Sequence, residues 1–251
     1  PKLSKLADAV HKHGGKIALQ INHAGASAVS TRIGQQPAAP STIPSKEGGE
    51  IPRPLTIDEI HDIVKKFGIA ARRAQIAGFD AVEIHGGHSY LIAQFMSPLT
   101  NDRTDEFGGN VENRARFCKL VLEEVRNAVG PNFPIILRIS SDEFMEAGRT
   151  LEDTLELLTY LDKEVDMYDV SAAVNDSLHL QVDIMSLAEG WRAHHAKAIK
   201  EKFGKPTMAV GSFRSPEVVE KVLAEGVCDL VGMGRGLIAE PEWVNKVRSG
   251  R

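Results

Sequence analysis

His85, His88 and Tyr90 bring two imidazoles and a phenol together within six residues, around the pair Gly86-Gly87. Two imidazoles can donate hydrogen bonds to one developing oxyanion, and a phenol with an ordinary pKa near ~10 can give a proton to carbon. A strand-terminal histidine is also a common structural cap. The clustering of three such groups around two glycines is what favours the chemical reading. A second signal lies in Gly211-Ser212-Phe213-Arg214 and Gly232-Met233-Gly234-Arg235. Glycines let backbone N–H groups approach a phosphate, and arginine supplies the countercharge. Tight turns with surface arginines are the bland alternative for each corner taken alone. Gln20 and Arg138 are polar residues near the ends of otherwise apolar runs, and Arg138 calls for a partner of negative character.

These residues need a scaffold that gathers them at one rim. Apolar runs at roughly 16–21, 79–85, 134–140, 167–171, 207–211 and 228–234 read as six strands separated by helical patterns. Leu3, Leu6, Ala7 and Val10 recur at helical spacing before Gly14-Gly15. Thr56-Ile57-Asp58-Glu59 and Thr150-Leu151-Glu152-Asp153 read as capping boxes, and Ser215-Pro216 as a cap followed by proline at the first helical position. Helical stripes follow through Ile60–Ala71, Phe117–Val125, Leu155–Leu161 and Ala198–Phe203. The stretches 27–54 and 172–187 are long and aperiodic, which suggests an active-site loop or lid. Alternating apolar strands and helices imply a parallel sheet covered on both faces, with the polar residues at the strand carboxyl ends. That pattern favours a (β/α) barrel over an open sheet, and the two glycine corners then match the phosphate site formed after the last two barrel strands.

Composition narrows the partners. The 251 residues carry a formal charge of −4, with 42% hydrophobic and 25% charged residues. The pI is near 6.2, which argues against a nucleic-acid or anionic-membrane partner. No apolar run approaches the ~20 residues of a membrane span, and no signal-peptide pattern is present. Cys118 and Cys228 form no CxxC pair, so neither a zinc nor an iron–sulfur site is indicated; a reducing, cytoplasmic setting is expected. His11, His13, His61, His179, His194 and His195 lack ligand spacing, and the adjacent His194-His195 read as solvated.

Several stretches resemble the Old Yellow Enzyme family of FMN-dependent ene-reductases, in particular its NADH:flavin oxidoreductase and 2,4-dienoyl-CoA reductase branch. They are Gln20–Gly25, Gly78–Leu91, Phe95–Pro98, Asn101–Arg114, Leu137–Ser140 and Val210-Gly211 through Met233–Arg235. The resemblance implies a (β/α)8 TIM barrel, here with about six of the eight strand–helix units. Residues 1–251 would be a single FMN-binding barrel domain lacking its first two units. It also implies that Gln20 hydrogen-bonds the flavin pyrimidine edge and that Arg138 stands beside N1 and C2=O. Gly211, Ser212, Gly234 and Arg235 would cradle the phosphate, with Arg214 as a further candidate. His85 and His88 would grip the substrate carbonyl oxygen, and Tyr90 would donate the proton. NADH or NADPH would be the reductant, and hydride would pass from flavin N5 to an α,β-unsaturated carbonyl compound. Ala26 stands where the family usually has Arg. A sheet short of two strands exposes apolar edges, so weak FMN binding and self-association are expected of this polypeptide alone. A non-catalytic flavin- or phosphate-binding module is the alternative. A flavin reductase acting on tRNA uracil is disfavoured by the acidic charge.

Overall fold

The computed structural model describes residues 2–182 and 186–250. The long segment expected over 172–187 therefore includes three positions, 183–185, outside the described residues. Along the chain, α1 (Lys2–His11) leads to β1 (Ala18–Ile21), and a short α2 (Ser30–Ile33) follows. The two-residue strands β2 (Ala38–Ala39) and β3 (Arg53–Pro54) pair in parallel within the stretch that shows no period in sequence. Next come α3 (Ile57–Ile76), β4 (Ala81–Gly86), α4 (Leu91–Met96), α5 (Val111–Val129), β5 (Ile135–Ser140), α6 (Leu151–Leu158) and β6 (Met167–Ser171). The chain continues with α7 (Leu178–Gln181), α8 (Ala193–Phe203), β7 (Thr207–Val210), α9 (Pro216–Ala224), β8 (Leu230–Gly232), α10 (Arg235–Ala239) and α11 (Trp243–Arg248).

Six strands form one parallel sheet in the order β1-β4-β5-β6-β7-β8. All six coincide with the apolar runs read from the sequence. The sheet curls as part of a (β/α)8 barrel, with β1 and β8 at its two ends. One face of each strand packs outward. Val82 and Ile84 of β4, Leu137 and Ile139 of β5, and Tyr168 and Val170 of β6 sit under α3, α5, α6 and α8 in one continuous core. The helices contribute matching stripes, such as Ile60, Val64, Phe67 and Ala71 of α3 and Phe117, Val121 and Val125 of α5. In α1 the helical period is real, but Ala7 is buried while Leu3 and Leu6 are about half exposed. No helix among the described residues is long and apolar enough to cross a membrane.

A repeated device fixes the amino ends of the strands. Asp80, Asp166 and Asp229 each accept the backbone N–H that opens a neighbouring strand or lies just before it, from Ile17, Ile135 and Thr207 respectively. Each also meets a basic side chain: Lys16, Arg126 or Lys200. Such ties at the amino face hold register, which leaves the opposite rim free for chemistry. Both capping boxes form as expected. Thr56 accepts from the Glu59 N–H at 3.2 Å while Glu59 accepts from the Thr56 N–H at 2.9 Å. Thr56→Ala should cost about 1 kcal/mol, read as a lower urea midpoint at unchanged slope. At α9 the expected cap is replaced. Pro216 does open the helix, but the Ser215 hydroxyl donates to Glu189, whose carboxylate also accepts the Arg214 and Ser215 N–H groups. A carboxylate offering several lone pairs is the stronger acceptor for that loop.

Candidate active site

The inner face of the sheet is polar where the outer face is apolar. Glu83 and His85 of β4, Arg138 of β5, and Asp169 and Ser171 of β6 alternate with the buried outward residues. Register sets His85 beside Arg138 and Arg138 beside Asp169. Gln20 of β1 pairs with Glu83 and donates its amide to that carboxylate at 2.5 Å.

Beyond His85 the chain turns sharply. A Cβ on Gly87 would lie 3.0 Å from Ser140 Oγ and 3.1 Å from its backbone nitrogen, so only glycine fits comfortably there. His88 and Ser89 then adopt left-handed φ values of 55° and 59°. The strain is held from several sides. The His88 N–H donates to Ser140 Oγ, the Asn175 N–H donates to Ser89 Oγ, and Gln94 and Ser27 both donate to the Ser89 carbonyl. Every residue of α4, which follows Tyr90, is buried and anchors the turn in the core.

The turn brings the three rings together. His85 lies 5.3 Å from His88 and 5.1 Å from Tyr90, centroid to centroid. His85 is buried, whereas His88 and Tyr90 are half-buried. His88 Nε2 and Ser171 Oγ are 2.8 Å apart, and the ring tautomer decides which donates. His85 Nδ1 is buried without a hydrogen-bond partner. Burial, then the Arg138 charge, lowers the His85 pKa to about 4. Burial, Arg138, His85 and Arg192 together lower that of His88 to about 3. Both rings are therefore neutral near pH 7, each with one N–H to offer. Burial, then the Glu47 carboxylate, raises the Tyr90 phenol above its ordinary value, so it keeps its proton.

His88 and Arg138 also wall a cavity of about 710 Å³. Its other side is built from Gly211, Ser212, Arg214, Gly234 and Arg235, so the two glycine corners face the same hollow as the histidine turn. A Cβ on Gly232 would stand 2.5 Å from Val210 Cγ1, which reserves that position for glycine. Ser212 is held at φ 56° at the other corner. His85 and Tyr90 adjoin the cavity through His88 and do not form its wall. Gln20 is exposed beside Glu83, away from that wall.

One reading is met within the chain and another changes. Arg138 does have a negative partner, and it is a residue of the chain itself: Asp169 Oδ2 lies 2.9 Å from Nη1. His195, read as solvated, is only 4% exposed, and its Nδ1 is 2.7 Å from Ser141 Oγ. Adjacent helix positions point about 100° apart, so His195 joins the buried Ile199 on the inner face while His194 faces out.

Some participants escape sequence reasoning. Arg192 walls the cavity, and its guanidinium donates to the Val210 and Leu180 carbonyls. The two long aperiodic stretches meet above Tyr90, where Lys46 pairs with Asp176 and Asn175 donates to Glu47. Only the adjacency of stretches 128 positions apart reveals the meeting of these loops.

The buried histidines imply a pH dependence of stability. His23, His85, His88 and His195 all have depressed pKa values, so the unfolded chain binds more protons than the native one below pH 6.5. Asp169, raised from 3.8 to about 7, acts in the opposite direction over the same window. Four groups against one leave a net loss. The urea midpoint should fall as pH drops from about 6.5 to about 4, and a flat profile would contradict this burial.

A family model described as "NADH:flavin oxidoreductase / NADH oxidase family" matches residues 1–251. The chain is 45% identical over 249 residues to an NADH oxidase of Thermoanaerobacter brockii, spanning 98% of this chain and 38% of that relative. It is 40% identical over 243 residues to an NADPH dehydrogenase of Clostridium acetobutylicum, spanning 96% of this chain and 70% of that one. The old yellow enzyme homologue of Zymomonas mobilis superimposes with a TM-score of 0.82 at 28% identity, covering 99% of this chain and 71% of that structure.

Proposed function

Because the chain belongs to the NADH:flavin oxidoreductase / NADH oxidase family, we propose that it works as an FMN-dependent ene-reductase. In this reading it reduces the C=C bond of an α,β-unsaturated carbonyl compound such as an enone, an enoate or a dienoyl-CoA thioester. The family's flavin is FMN, and NADH or NADPH is the reductant. The cavity suits that group. Its volume falls in the usual range for cofactor sites, Gly232 leaves no Cβ in the cradle, and the buried Arg138 Nε lacks a partner.

Gly211, Ser212, Gly234 and Arg235 would hold the phosphate, with Arg214 beside them, and Arg138 would face the electron-rich pyrimidine edge. Gln20 stands toward that edge only through Glu83, so its role is the least direct. When bound, FMN supplies the hydride that adds to the carbon β to the carbonyl. The neutral rings of His85 and His88 donate hydrogen bonds to the carbonyl oxygen as negative charge develops there. Tyr90, kept protonated, gives its proton to the α carbon. The turn held by Ser140, Ser89 and Gln94 keeps these donors aimed without reorganisation.

The single observation that carries this reading is the joining of the three-ring cluster to the glycine-arginine cavity through His88. The test uses the full-length, FMN-loaded protein under anaerobic conditions with NADH and 2-cyclohexenone. Consumption of NADH should require the enone and yield the saturated ketone. NADH oxidation that proceeds only with dioxygen, with no saturated product, would overturn it.

A further inference from the structure

Below the rim, two carboxyl groups share the interior of the sheet. Glu83 and Asp169 come from β4 and β6, the alternate strands that supply one layer of side chains in such a barrel. Asp169 is fully buried and Glu83 is 9% exposed. Asp169 Oδ2 receives Arg138 Nη1, but Oδ1 is buried with no donor. Glu83 receives the Gln20 amide. This layer therefore holds two carboxyls and one guanidinium, and an uncompensated buried charge is costly. A proton on Oδ1 of Asp169, offered to Glu83, would satisfy the orphaned oxygen and leave the layer neutral.

We propose that Glu83 and Asp169 share one proton and act as positioning residues for Arg138, setting how strongly this end of the cavity attracts an electron-rich ring edge. The inference rests on the flavin reading above, in which Arg138 meets that edge. Burial is the largest influence raising Asp169, Glu83 adds to it, and Arg138 opposes it, with a result near 7. Partners instead hold the carboxyls of Glu59, Asp105, Asp153 and Asp229 down, so Asp169 should titrate apart from them. The charged or titratable groups facing the pair are Arg138 of β5 and His85 one inward position along β4. The neighbouring β1 and β7 contribute uncharged Gln20 and Met208. Above its titration the layer gains a negative charge, which should weaken flavin binding.

Two readouts test this on the full-length protein. In the flavin-free protein, infrared spectra should show the carbonyl band of a protonated carboxylic acid that disappears as pH rises through neutrality. The band should be absent near neutral pH in Glu83→Gln, which keeps an acceptor for Gln20 and lets Asp169 ionise against Arg138 alone. By fluorescence quenching, the dissociation constant of riboflavin should rise roughly fivefold or more between about pH 6 and about pH 8.5, and stay flat in Glu83→Gln. Riboflavin is the probe because the phosphate of FMN titrates in the same range. Absence of the band overturns the shared proton. A band with pH-independent riboflavin affinity overturns its control of the cavity. If neither riboflavin nor FMN binds at any pH, the flavin reading itself has failed, and the band still decides the shared proton. Asp169→Asn, checked for folding by circular dichroism, should abolish the band as well.

Discussion

Tyr90→Phe should lower the rate of enone reduction by roughly 10²- to 10⁴-fold while NADH still reduces the bound flavin at its normal rate. The phenol ring lies 5.1 Å from the His85 ring, and its raised pKa keeps it protonated through neutral pH. Phenylalanine preserves the ring and removes only the donor. Because Tyr90 is half-buried and the hydrogen bonds that hold the turn come from Ser27, Gln94, Ser140 and Asn175, not from its phenol, stability should change by well under the cost of a core truncation. The measurement is a split of the two half-reactions in rapid mixing. Equal loss in both would mean that Tyr90 supports the flavin site, and no loss in enone reduction would remove it as the proton donor.

The second large effect concerns the carbonyl grip. His88→Ala should cost about 10²- to 10³-fold in kcat/KM for an enone, the scale of losing one oxyanion donor. His85→Ala should be comparable. The two losses should not add, because the rings stand 5.3 Å apart and, in the proposed reading, would act on one oxygen. Neutrality gives this prediction a second signature. With pKa values near 4 and 3, neither ring changes charge between about pH 5 and pH 8, so the wild-type profile should lack a histidine limb near 6.5. A limb there that vanished in His88→Ala would show that the ring works as an imidazolium. Ser171→Ala should have a smaller effect, since it removes only the partner of His88 Nε2.

Particular residues show how far the chain could be read in one dimension. The six strands and the two capping boxes were legible because apolar periodicity and Thr-x-x-Glu or Thr-x-x-Asp spacing are local signals. The cluster at His85, His88 and Tyr90 was legible for the same reason, since its members lie within one turn of chain. Ser215 misled because its competitor for the hydroxyl, Glu189, is 26 positions away. His195 misled because a helix of moderate polarity does not announce which of two adjacent histidines faces the core. Arg192 left no signal at all: its place in the cavity wall depends on where α8 begins against β7.

By itself, the sequence determined the alternation of strand and helix, the rim on which the reactive groups stand, and the glycines that must flank them. Each of these follows from backbone preference and side-chain period over a few residues. Tertiary structure alone decided that Asp169 answers Arg138, that Glu83 lies in the same buried layer, and that two distant loops meet over Tyr90. Those facts depend on the curl of the sheet, which sets alternate strands side by side across its interior, and no local pattern encodes that distance.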